Sequence, residues 1–337
     1  MMTLTPTFMS LCRQSRGVVA VGALCLVLLL SSAARAEGEL GAVLPEYQPA
    51  KLPSGTLSSV GSDSMGGLVR VWVDAYGKLQ PNVKMAMVSR GSAMAPAALI
   101  EGTADLGPMA RPMKQAERED FIAKYGFEPT QVRSALAAVS IFVHEENPIE
   151  EISFGELDRA FSVERRRGDE ASPRLWSNLG VSGSFSNVAI ELLGREQNSS
   201  PAAYFKQRVL LQGAFVPQLM TTASLDSLLE AVTLNRGALA FGEFVSVVPP
   251  GVKVLAVSKE PGERAYAPTV DTVVDGRYPL ARFLNIYVVR TPGEPLDDSV
   301  KDFLRFVLSR QGQQLVRQEG MIALPPEVVA EELAKLQ

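Results

Sequence analysis

At three places in the 337-residue chain, glycine and small hydroxyl or acidic side chains stand just before an apolar pattern with helical spacing. In "VGSDSMGGLVRVW", Ser62, Asp63 and Ser64 precede Met65 and the series Leu68, Val69, Trp72, Ala75, Tyr76 and Leu79. In "SRGSAMAPAAL", Ser92 precedes a short helix. In "GREQNSSPAAYF", Ser199 and Ser200 precede another, with Arg195 four residues before Ser199. Each serine or aspartate suits an N-cap, which pairs backbone N–H groups that the first helical turn leaves without partners. The set also suits a second use. Helix starts offer N–H donors and the positive end of the macrodipole to a phosphate-like anion. Arg195 would add a planar, permanently charged partner. Capping accounts for any one of these starts, whereas their recurrence beside an arginine points to an anion site.

Other chemistry is thinly supplied. Both cysteines, Cys12 and Cys25, lie near the N-terminus, and His144 is the single histidine. Thiolate nucleophiles and Cys or His metal sets are therefore not expected beyond the first residues. The chain has neither a G-x-S-x-G elbow nor an S-x-x-K motif. A formal net charge of -4 gives no broad cationic field for nucleic acid. These features argue against an enzyme and predict no metal and no cofactor.

The elements that must position the serines alternate between strand and helix patterns. Residues 1–36 have the layout of a cleaved signal peptide: Arg13 and Arg16, an apolar run from Val18 to Leu30, and Ala34-Arg35-Ala36 as the cleavage site, which places the protein in the periplasm. The run is shorter than the roughly 20 residues that a spanning helix needs. Beyond it, a helix from Met65 to Leu79 sits between a short strand and "NVKMAMVS", and "AMAPAALIEG" and "RPMKQAEREDFIAKYG" are further helices. "ALAAVSIFVH" is wholly apolar, as a strand within a parallel sheet is. "ISFGELDRAFS", "SSPAAYFKQRVLL" and "SLDSLLEAVTLNRG" have helical spacing, "ALAFGEFVSVV", "KVLAVS" and "RFLNIYVVR" are strands, and "ERRRGDE" has the character of a solvated loop. Trp72 and Trp176 are expected as packing residues. The pattern predicts an α/β protein of two lobes with mostly parallel sheets.

The order of these motifs resembles the phosphate-binding proteins of bacterial high-affinity phosphate ABC transporters. The likeness runs from "VGSDSMGGLVRVW" through "ADLGPMARPM", "ALAAVSIFVHEENPI", "GREQNSSPAAYFKQ", "GALAFGEFV" and "YPLARFLNIYVVRTPGE" to "FVLSRQGQQLVRQEGMIALP", and is weak over residues 162–190. It implies a type II periplasmic binding protein fold, with two lobes joined by crossing strands and the ligand held between them. On that plan residues 37–138 begin the first lobe, residues 139–275 form the second, and residues 276–337 supply a hinge strand and return to the first. The resemblance places Ser64 and the Met65 N–H in the first ligand loop, Ser92 in the second, and Arg195 and Ser199 in the loop of the second lobe. Ser62, Asp63, Arg111 and Ser200 complete the candidate set. It further implies a monomer that takes up inorganic phosphate or a similar oxyanion and hands it to an inner-membrane permease.

Two departures stand against that pattern. Ser199-Ser200-Pro201 replaces an expected Ser-Gly-Thr, which removes a hydroxyl and a backbone N–H, and Ala110 stands where a serine is usual. A hydrogen bond to a charged group is worth about 1.5–3 kcal/mol, so such losses weaken anion binding unless Ser200, Arg111 or Asn198 makes them good. A divergent relative that binds a partner, or senses one, is the alternative reading.

Overall fold

The computed structural model describes residues 44–168 and 171–337, so the leader and its cleavage site lie outside the described residues. Strand β1 (Gly55–Gly61) leads to helix α1 (Gly66–Leu79), and β2 (Val83–Ser89) to α2 (Met94–Glu101). Then come β3 (Gly107–Met109), α3 (Gln115–Tyr125) and the long β4 (Thr130–His144). The middle of the chain holds β5 (Glu151–Ser153), α4 (Phe154–Phe161), β6 (Glu191–Arg195), α5 (Ser200–Arg208), β7 (Met220–Thr222) and α6 (Leu225–Leu234). It continues through β8 (Ala238–Glu243), β9 (Val252–Val254), β10 (Ala256–Ser258) and α7 (Val270–Val274). Strand β11 (Ala281–Val288) returns beside β4, and α8 (Asp298–Val307), α9 (Arg310–Gln318) and α10 (Pro326–Ala334) close the chain. All of these elements belong to one unit, Glu46–Gln337.

Seven strands form one sheet in the order β3-β11-β4-β8-β6-β7, with β9 also on β4. The sheet is mixed, not mostly parallel: β6 runs parallel to β7 and β8, while β4 is antiparallel to β11, β8 and β9. The apolar run of β4 therefore reflects burial on both faces and not parallel pairing. Along β4 the partner changes. Its register with β11 runs from Thr130 opposite Val288 to Ala138 opposite Ala281, and its register with β8 begins at Val139 opposite Glu243. Two further parallel pairs, β1 with β2 and β5 with β10, stand outside this sheet.

Helix α1 shows how spacing becomes packing. Leu68, Val69, Trp72 and Tyr76, three and four apart, form its buried face. The Trp72 indole donates to the Gly312 carbonyl at 2.9 Å. Tyr76 meets Phe303 of α8 edge to face, with centroids 5.2 Å apart. Beneath them the buried Asp302 Oδ2 accepts hydrogen bonds from Tyr47 Oη at 2.5 Å, Tyr76 Oη at 3.0 Å and Gln80 Nε2 at 2.9 Å. Burial comes first in raising the pKa of both tyrosines, with the Asp302 charge adding to it.

Helix α5 is fixed across its length. Phe205 stacks on Phe241 of β8 with centroids 4.4 Å apart and planes 8° from parallel. Gly194 of β6 makes room for that ring, because a Cβ there would lie 2.4 Å from Phe241. The run "ERRRGDE" is not merely solvated: Arg167 donates to the carbonyls of Val209 and Arg208, and Arg166 to that of Leu211. These carbonyls lie at the C-terminal end of α5, where cations complement the dipole, so helix geometry recruits charges that composition alone assigns to solvent. Trp176 is buried as expected, and its indole N–H has no hydrogen-bond partner among the described residues.

Asp302→Ala leaves the buried Tyr47 and Tyr76 hydroxyls without their acceptor, while Gln80 keeps the Ala50 carbonyl. The expected cost is about 3–5 kcal/mol of unfolding free energy in urea denaturation, whereas an exposed substitution such as Asp74→Ala stays within about 0.5 kcal/mol.

Candidate functional site

The loops that follow β1, β2 and β3 lock together at the carboxyl ends of those strands. Gly61 closes β1 against β3 so tightly that a Cβ there would sit 2.1 Å from the Pro108 carbonyl oxygen, and Ser62 N–H donates to that oxygen at 2.8 Å. Arg90 and Gly91 N–H groups donate to the Gly61 carbonyl at 2.9 and 3.0 Å. Ser92 Oγ accepts from the Ala110 N–H at 3.1 Å. Ser62, Asp63, Ser64, Met65 and Ser92 thus share one end of the first strands, where open α/β sheets bind ligands.

The predicted caps of α1 and α2 do not form. Met65 holds the N-cap position of α1 and Ala93 that of α2, and neither makes a side-chain cap bond. Ser62 and Ser64 instead share a hydroxyl–hydroxyl bond of 3.0 Å, Asp63 takes the Ser64 N–H at 2.8 Å, and the Ser92 hydroxyl is held by Ala110. Side chains short enough to cap have been drawn into the loop network, which leaves both first turns without a side-chain cap.

Arg111 follows this cluster, but its guanidinium turns toward α3. It grips Glu117 with two hydrogen bonds of 2.7 and 2.6 Å and donates to the Pro112 carbonyl at 2.9 Å. The Arg111 hydrogen bond is the largest influence holding the Glu117 carboxyl below its ordinary pKa. Glu117 also accepts from the Lys114 N–H and so completes the start of α3.

The second group of candidates lies at the carboxyl ends of β6, β7 and β8. Arg195, the last residue of β6, donates through Nε to both oxygens of Glu243 at 2.9 Å and through Nη1 to the Thr222 carbonyl at 2.7 Å. Its charge is largely neutralised by Glu243. Ser199 caps α5 by accepting from the Ala202 N–H at 3.3 Å, as predicted. Ser200 is the first helical residue and Pro201 the second.

Sequence reasoning passed over Arg282. This residue is the second of β11, opposite Ala137 of β4, where the sheet changes partners. Its guanidinium lies 4.0 Å from the centre of the Tyr204 ring and donates to Ser200 Oγ at 3.3 Å. Ser200 and Tyr204 stand one turn apart on the same face of α5. The Nε of Arg282 is buried without a hydrogen-bond partner among the described residues. Burial pulls its pKa down to about 10, against the opposing pull of Tyr204 and of the Asp63 carboxylate. The signal in the sequence was an arginine inside the apolar strand "RFLNIYVV", a residue type seldom buried without a partner.

The chain matches the family described as "PBP superfamily domain" over residues 48–311. It is 37% identical over 316 residues to the phosphate-binding protein PstS of Pseudomonas aeruginosa, covering 94% of this chain and 98% of that protein. Among solved structures, a possible phosphate binding protein from Planctomyces limnophilus aligns with a TM-score of 0.71 at 22% identity, over 85% of this chain and 99% of that one. An ABC-type phosphate transport receptor from Vibrio cholerae aligns with a TM-score of 0.59 at 20% identity, over 80% of this chain and all of that one. The two structures establish the likeness of fold, a periplasmic-type binding protein.

The Arg111–Glu117 pair has a defined pH signature. Because the carboxyl pKa is lowered in the folded chain, the contribution of the pair is present above the ordinary glutamate range, about 4.3, and is lost as the pH falls through the lowered value. Glu117→Gln is expected to remove that part of the acid limb in a pH series of urea midpoints.

Proposed function

Because the chain belongs to the PBP superfamily, alongside its phosphate-binding proteins, we propose that it captures inorganic phosphate and delivers it to an ABC transporter permease. The observation that carries this reading is the placing of serine-bearing helix starts at the carboxyl ends of two sets of strands, with Arg282 donating to Ser200 at the start of α5. Helix-start N–H groups and an arginine only donate, and each serine hydroxyl can turn its one hydrogen to an acceptor, which is what a dehydrated tetrahedral oxyanion requires. The reading includes no bond-making step, and the protein acts as an exported monomer, released from its leader after Ala36.

The handover along β4 supports a division into two lobes. On this reading residues 37–138 and 276–337 belong to one and residues 139–275 to the other, with β4, which pairs with β11 up to Ala138 and with β8 from Val139, running from one to the other. Capture then closes the lobes over the anion and release reopens them.

The departures in the ligand loops favour a second reading, a scaffold reused for a protein partner. Pro201 brings no N–H to the start of α5, and the Ala110 N–H is taken by Ser92. Calorimetry with phosphate and with sulfate, after unfolding and refolding to strip carried-over ligand, separates the two. Micromolar or tighter binding of phosphate is expected on the transport reading, and no heat with either anion supports the second.

Asp63 gives the site its selectivity on this reading, by accepting the proton of monohydrogen phosphate that sulfate lacks. Asp63→Asn is expected to narrow the preference for phosphate over sulfate by at least about tenfold, measured as a ratio of the two dissociation constants.

A further inference from the structure

Helix α6 carries apolar side chains on two faces. Leu228 and Val232, one turn apart, are buried in the cluster that includes Phe142 of β4, Leu193 of β6 and Ala240 of β8. On the outer side Leu234 is 80% exposed, and in the loop between β8 and β9 Val247 is 81% exposed. These are the two highest exposures of large apolar side chains among the described residues, and such side chains in one place mark a surface for another molecule. An open groove of about 350 Å³ lies there, lined by Leu229, Thr233 and Leu234 of α6 and by Pro249 of the loop. Asp226 and Glu230 complete its lining.

The loop that carries Val247 is fixed at both ends. Val245 packs on the core cluster beside Leu225 and Leu229. Gly251 N–H donates to Glu145 Oε2 at 2.8 Å, and Glu145 N–H donates to the Gly251 carbonyl at 3.1 Å. Gly251 lies so near α6 that a Cβ there would sit 2.5 Å from the Thr233 side chain. The groove is therefore preorganised, which lowers the entropy lost when it is filled. Its charge is one-sided. Asp226 complements the helix dipole from the first turn of α6, whereas Glu230, one turn further on, has no such use. Neither carboxylate has an ion-pair partner among the described residues, while the cations flanking these segments, Arg236 and Lys253, are paired with Glu146 and Glu150.

We propose that this outer face of α6 docks an amphipathic helix of another protein, which seats an apolar side chain in the groove and sets two Lys or Arg, one turn apart, against Asp226 and Glu230. Charge selects this occupant. A second copy of the chain, meeting the face about a two-fold axis, would bring Asp226 and Glu230 against themselves. An anionic lipid surface repels the same pair. None of these residues belongs to the ligand loops, so the docking is independent of the phosphate reading.

The probe is a labelled synthetic helix of about 20 residues, with leucine along one face and lysine pairs one turn apart beside it, together with its glutamate-for-lysine counterpart. Both are titrated by fluorescence anisotropy against the purified protein and against Leu234→Ser, Val247→Ser and Glu230→Lys, with Tm and phosphate titrations as controls on the fold. The lysine helix is expected to bind the unmutated chain at micromolar concentration and to bind Leu234→Ser and Glu230→Lys at least about tenfold more weakly. Glu230→Lys is expected to gain affinity for the glutamate helix, which a general attraction to an acidic protein would not produce. No binding of the lysine helix, or affinity within about threefold across all three variants, overturns the proposal. So does a dimer in sedimentation, or attachment to phosphatidylglycerol vesicles, that Leu234→Ser abolishes, since either gives the face another occupant.

Discussion

The structure turns on the way β4 changes partners. One continuous strand hydrogen-bonds to β11 up to Ala138 and to β8 from Val139, so a single backbone belongs to two groups of elements. The ends of β1, β2 and β3 and the ends of β6, β7 and β8 are thereby held in relation to one another. Arg282 sits at this changeover, on the strand that pairs with the first half of β4, and its side chain reaches the helix that packs on β8.

The helix starts show how local stability is set against binding capacity. Ser153, Ser199, Ser224, Thr269, Asp297 and Ser309 cap their helices with side-chain oxygens. The starts of α1 and α2, reached through equally cap-rich sequence, have none. A missing cap costs roughly 1 kcal/mol, and at these two helices the cost falls where first-turn N–H groups border the candidate site. The charges follow the same division. Among the described residues Arg111 and Arg195 have carboxylate partners, whereas Arg282 has none.

Much of this was legible in the residues. The spacing of Leu68, Val69, Trp72 and Tyr76 gave α1 and its buried face, and Ser199 was foreseen as a cap. Serine type and position brought Ser62, Ser64 and Ser92 to one place, but not the partners of their hydroxyls, which depend on where Pro108 and Ala110 fall. Pairing direction was illegible because a strand buried on both faces is apolar in either kind of sheet. The roles of Arg166, Arg167 and Arg282 depend on contacts with residues dozens of positions or more away, about which periodicity is silent.

The Asp302 cluster has a consequence for how the chain comes together. Tyr47, Tyr76 and Gln80 meet their acceptor 255, 226 and 222 residues further along, and Trp72 meets Gly312 after 240. A chain made from its N-terminus cannot complete the packing of its first helix until its last part exists. Loops of that size close slowly, and until they do the aromatic face of α1 stays uncovered. Emergence and folding are therefore separated in time. The early segment spends that interval short of its native packing, and the last helices finish what the first began.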